Sequence, residues 1–198
     1  MRANRSRLAW LAFAAIAGLA AWAAAPEKDV FEFVPEGGRT LLAKAFAGRV
    51  PAEDVRAIIG GKHTSVEWVA DLRAREKSLP ALKRLDDKER RTLADYLAAN
   101  MPLAKPPADP AKANWDKALP LDGRDMALNY CQGCHIITVV ITQDRSKTAW
   151  LGTMGKPSHV QIKLTPAQRD ALANYLIVNA AIPIDQVPEE LRAGGATY

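Results

Sequence analysis

Cys131-Gln132-Gly133-Cys134-His135 is a Cys-x-x-Cys-His run that holds both cysteines of the 198-residue chain. On a helical turn, two intervening residues bring the thiols to one side, and the imidazole that follows is presented next to them. This is the spacing of a covalent c-type haem site, in which the thiols add across the porphyrin vinyl groups and the histidine becomes an axial iron ligand. The run therefore predicts one haem c, attached through Cys131 and Cys134, with His135 on the iron. Three other readings use the same residues. A thioredoxin-like pair needs a βαβ setting that the flanking sequence lacks. A closed zinc site needs two more soft or imidazole ligands, for which only His63 and His159 remain. A disulfide at so short a spacing is strained.

Around the motif the composition is that of an all-α protein: abundant Ala, Leu, Glu, Lys and Arg, few aromatic residues and few β-branched runs. The length allows one or two small domains, each able to bury a core. Arg2, Arg5 and Arg7 supply more than half of the net charge of +5, so the remainder gives no argument for nucleic acid as a partner. Those arginines open residues 1–25, which read as a secretory signal: a basic start, an apolar run over 8–25, and Ala21-Trp22-Ala23 as a cleavage site. The same run has about the minimum length of a membrane anchor. A membrane is thus a partner only if the segment is retained, and either route places the chain in the periplasm.

Residues 26–103 contain no cysteine and carry helical patterning, with short helices at 40–47 and 53–59, the second stopped by Gly60-Gly61. A longer helix begins at Asp86, where Asp86 and Glu89 form a capping box, Leu93, Tyr96 and Leu97 make the apolar stripe and Pro102 closes the segment. This helix has a counterpart, because residues 85–100 align on residues 164–179 at both caps and along the stripe. Thr165 and Gln168 repeat the capping box, and Pro166 takes the favoured first position. Trp68 then corresponds to Trp150, and Gly38-Arg39 to Gly123-Arg124. The halves read as a duplication; the competing explanation is that any two capped amphipathic helices share Leu, Ala and Tyr at such spacings. In this register residues 46–50 fall on the Cys-x-x-Cys-His run and Leu72 falls on Met154, which makes 26–103 a haem-less domain of the same kind. Residues 104–118, rich in Pro, Ala and Lys, read as a linker that Trp115 could pin to one domain. Residues 119–198 are the haem domain.

Within that domain a helix over 122–130 should lead into the motif, with Met126 and Tyr130 on one face. The apolar run at 136–141 reads as a strand or as a wrap over the porphyrin face, 143–147 as a polar turn, and 182–198 as a loosely ordered strap. Met154 is the leading sixth ligand, since a soft thioether stabilises ferrous iron and Gly152 and Gly155 let the backbone approach closely. His159, five residues on, is the alternative. Trp150 packs against the porphyrin or simply in the core. Arg145, Lys147, Lys156 and Lys163 pair with propionates, form a docking rim, or are solvated.

With Cys131, Cys134 and His135, a helix before them, a candidate Met154 and a C-terminal amphipathic helix carrying Tyr175, residues 119–182 resemble the small class I c-type cytochromes. The resemblance implies an all-α domain whose first and last helices cross beside one haem with His135/Met154 ligation. The short interval from His135 to Met154, with Arg145, Trp150 and Met154 in that order, is similar to the compact haem domains of dehydrogenase-associated cytochromes. By that resemblance the chain is an electron-transfer protein and not itself an enzyme. It would be a dedicated subunit passing single electrons from a periplasmic dehydrogenase to a downstream cytochrome or oxidase. The alternative is a haem sensor with an open or displaceable sixth site. A peroxidase-like protein is a third reading, for which His159 is the one imidazole candidate in this half.

Overall fold

A computed structural model describes residues 29–159 and 162–192; the expected signal or anchor at 1–25 lies outside them. Among the described residues every regular element is helical, in keeping with the composition. None of their helices is long and apolar enough to cross a membrane. The chain divides at Glu32/Phe33. The described residues before that point form a turn closed by the Glu32 N–H on the Asp29 carbonyl (3.0 Å), and all that follows concerns Phe33–Tyr198.

Four helices make the first half: α1 (Gly38–Ala45), α2 (Ala52–Gly60), α3 (Ser65–Ala74) and α4 (Asp87–Asn100). The start of α4 is set by its predicted capping box. The Glu89 N–H donates to the Asp86 carboxylate (2.7 Å) and the Asp86 N–H to Glu89 (2.9 Å). Each such cap is worth about 1 kcal/mol. Behind it Leu93, Tyr96 and Leu97 are buried, with Trp68 and Leu72 of α3 among the most enclosed side chains they join. Large apolar groups of this kind each contribute roughly 1.5–3 kcal/mol. The second half repeats the plan with α6 (Gly123–Met126), α7 (Thr138–Ile141), α8 (Lys147–Met154) and α9 (Pro166–Asn179). The α9 box forms as expected, Thr165 and Gln168 exchanging bonds of 2.9 and 3.2 Å.

The correspondence goes well beyond those two helices. Helices α1 and α3 pack on α4 as α6 and α8 pack on α9, and α4 and α9 pack on each other. Gly38 passes so close to Tyr96 that a Cβ on it would lie 2.2 Å from the tyrosine Cβ; at Gly123 and Tyr175 the figure is 2.0 Å. After α4 the Leu103 N–H returns to the Ile59 carbonyl (2.8 Å), and after α9 the Ile182 N–H returns to Ile141 (3.1 Å). Arg90 on α4 donates to the carbonyls of Leu82 and Leu85, and its register mate Arg169 donates to Met154, Ile162 and Leu164.

Three local expectations change. Residues 65–74 and 147–154 are helices where the sequence reading placed none; Thr64 and Ser146 cap them, accepting from Glu67 and Ala149. The β-branched run at 136–141 forms one helical turn, not a strand, because its buried Ile137, Thr138 and Ile141 side chains are fixed by packing and not by β-propensity. The linker is held more firmly than its prolines suggest. Asn114 caps a single turn, α5 (Trp115–Ala118), and Trp115 is buried in the first-half core against Phe46, ring centroids 4.8 Å apart.

Candidate haem-attachment site

Helix α6 does not run into the motif regularly. After Met126 it widens into a five-residue turn over Ala127–Cys131, with the Gln132 N–H on the Ala127 carbonyl (3.3 Å), the kind of bulge that often marks functional sites. The motif itself is one further turn. The N–H groups of Cys134 and His135 both donate to the Cys131 carbonyl, at 3.2 and 3.0 Å. The Gln132 side-chain oxygen accepts the Ile137 N–H (2.6 Å) and folds the following segment back. Both thiols and the imidazole therefore sit on a single turn, as the spacing requires. The cysteines are free, Cys131 half-buried and Cys134 exposed, with His135 exposed beside them. Burial, with Cys134 nearby, pushes the Cys131 thiol up to about 11. A thioredoxin-like nucleophile shows the opposite displacement.

The structure brings His159 to His135. Their rings lie 6.2 Å apart between centroids, with planes 31° from parallel. Met154 is the last residue of α8, its side chain buried at 5% exposure and its carbonyl bonded to Arg169. Arg145 and Trp150 also meet, the guanidinium 5.3 Å from the indole centroid. Arg145 further donates to Gln143 and Thr153. Of the other basic residues, Lys147 is paired with Asp170 of α9 (2.8 Å), while Lys156 and Lys163 are exposed. Among the described residues no three His, Cys, Asp or Glu side chains converge as a metal cage.

The buried indole N–H of Trp150 has no hydrogen-bond partner, which fits an acceptor such as a propionate. Trp68, its register mate, has the same orphaned N–H. The orphan thus belongs to the repeat and does not by itself identify haem. What distinguishes the second half is the free cysteine pair with His135 and His159 close at hand, a donor set that fits covalent porphyrin attachment. Two contributors were missed by the sequence reading: Gln132, silent as an x in the motif, and Arg169, whose signal was its match to Arg90 in the aligned helices. Comparison with protein-family models, curated proteins and solved structures returns no match.

Proposed function

We propose that the chain is a monohaem c-type electron-transfer protein, exported to the periplasm, that takes single electrons from a dehydrogenase and passes them to a downstream cytochrome or oxidase. The observation that carries this reading is the single turn from Cys131 to His135, closed by the His135 N–H on the Cys131 carbonyl (3.0 Å), which presents two free thiols and an exposed imidazole together. Haem supplies a one-electron couple when bound. Cys131 and Cys134 would hold it covalently, and His135 and Met154 would be the residues that supply ligands to its iron. Arg169 orients the Met154 segment by binding its carbonyl, and Arg145, which lies over the Trp150 ring, donates to the neighbouring Thr153. No proton transfer or nucleophile is required of the protein.

A second reading of the sixth ligand has its own support. The 6.2 Å spacing between His135 and His159 favours a bis-imidazole site, which would lower the potential relative to a thioether. The test is maturation with the haem-attachment machinery followed by oxidised and reduced optical spectra, with and without carbon monoxide. Haem that stays with the chain on a denaturing gel, and is lost in Cys131→Ala/Cys134→Ala, supports attachment. A far-red iron–thioether band abolished by Met154→Ala assigns Met154. A spectrum that changes only in His159→Ala assigns His159. A high-spin ferric spectrum with rapid carbon monoxide binding overturns the carrier reading in favour of a haem sensor.

A further inference from the structure

Met154 and His159, the two candidates for the sixth position, lie five residues apart between the end of α8 and the start of α9. One side chain ties the ends of that segment together. Arg169, in the second turn from the Thr165 cap, gives each guanidinium nitrogen a different carbonyl: Nη1 serves Met154, Nη2 Ile162 (2.9 Å) and Nε Leu164 (3.3 Å). Its own backbone is fixed by its N–H on the Thr165 carbonyl (2.9 Å). Met154 is thereby held through its backbone, with its side chain buried. His159 is held less firmly. Its half-buried ring has one hydrogen-bond contact among the described residues, Nδ1 with the adjacent Ser158 hydroxyl (3.2 Å).

The first half supplies the comparison. Arg90 takes the matching place on α4 and works through Nη2 alone, on the Leu82 and Leu85 carbonyls and on Glu76 (2.8 Å). Its buried Nε and Nη1 have no partner, and the residue in the Met154 register is Leu72. The repeat therefore tolerates this arginine without a bond to that carbonyl. The bond is made in the half that carries a thioether there, five residues from an imidazole and beside a cysteine pair. Building on the haem reading of the second half, we propose that Arg169 is a positioning residue that gives Met154 precedence over His159 as a ligand to the iron. Without it the end of α8 is free to shift, while the His159 ring stays 6.2 Å from that of His135.

The far-red iron–thioether band of the haem-loaded full-length protein, read beside covalent haem on a denaturing gel, tests this. The wild type should show the band. Arg169→Gln should move the ratio of thioether to imidazole ligation about tenfold towards imidazole, the scale for a group that orients a metal ligand. Arg169→Gln/His159→Ala should regain the band, because the competitor is gone. Arg90→Gln, the same change in the other half, should leave it intact. If Arg169→Gln does not fold, Arg169→Lys, which serves only part of the carbonyl set, makes the same comparison. Covalent haem with the band absent from the wild type, unchanged in the Arg169 variant, still missing from the double variant, or equally lost in Arg90→Gln overturns the proposal alone. A wild type without covalent haem overturns the haem reading and the proposal with it.

Discussion

The Tyr175 hydroxyl donates to the carbonyl of Pro35 at 2.6 Å, across 140 residues of sequence. Tyr96 returns the contact in mirror order, donating to Pro120 at 2.9 Å. Burial, with the Asp122 charge nearby, raises both phenols above their ordinary range, so both remain donors. Tyr96→Phe and Tyr175→Phe should each lower unfolding free energy by about 1 kcal/mol. Denaturant titration checks this, and a double variant no weaker than either single one would show that the two bonds do not act separately.

Gly38 and Gly123 are fixed by the helix that crosses them. A methyl group there would meet the Cβ of Tyr96 or Tyr175 near 2 Å, and a Cβ tied to a helix backbone cannot swing aside. Gly38→Ala and Gly123→Ala should each destabilise by about 3 kcal/mol or more. Gly60→Ala, at the end of α2 with open space around it, should instead stabilise by roughly 0.5–1 kcal/mol. Thermal melts of the three variants decide between this contrast and a general tolerance of alanine.

Asp122 caps α6 and accepts the N–H groups of Arg39 and Asp125, each at 2.9 Å. Burial first, and then the Asp125 charge, push its carboxyl up to about 6 from an ordinary 3.8. Arg39, Asp125, Tyr96 and Tyr175 are the charged and titratable groups that surround it. Between those two values the folded chain keeps a proton that the unfolded chain has released, so removing it as pH rises weakens the fold. The Asp122 contribution should therefore make Tm fall from about pH 4 to about pH 6. Asp122→Asn should flatten that stretch; an unchanged slope would mean that the carboxyl titrates normally.

Trp115 joins the linker to the first-half core through Phe46. Trp115→Ala should cost about 3 kcal/mol, the lower end for a buried tryptophan. Limited proteolysis should then cut within 104–118 before any other segment. Equal protection in the variant would show that the prolines, not the indole, order this stretch.

Arg169 donates to the carbonyls of Met154, Ile162 (2.9 Å) and Leu164 (3.3 Å), closing the segment that carries His159. A lysine can serve only part of that set. Arg169→Lys should lose about 2 kcal/mol and raise hydrogen exchange at 155–159 more than in α4, where Arg90 serves the other half. Uniform acceleration would point to a global effect instead.

Much of this architecture was legible because caps and glycines announce themselves. Asp86 with Glu89, and Thr165 with Gln168, marked two helices correctly, while the match of Gly38 to Gly123 was visible in the sequence but the tyrosine crossings at those glycines were not read from it. Helices α3 and α8 escaped because neither shows a clear apolar stripe, and Gly152 with Gly155 favoured a loop; Thr64 and Ser146 were the available signals. The widened turn over Ala127–Cys131 has no local signature in the sequence. The approach of His159 to His135 depends on the turn at Pro157–His159, whose direction no residue spacing specifies.

The reciprocal bonds of Tyr96 to Pro120 and Tyr175 to Pro35 follow the pattern by which identical subunits meet across a two-fold axis. A true dimer of either half would have to carry the same residues on both sides of such an axis. A covalent tandem lifts that constraint. One half can lack the cysteine pair while the seam between them is kept by the other residues. The ratio of one Cys-x-x-Cys-His turn to two helical halves is written into the chain, and dilution, which separates non-covalent partners, leaves it intact.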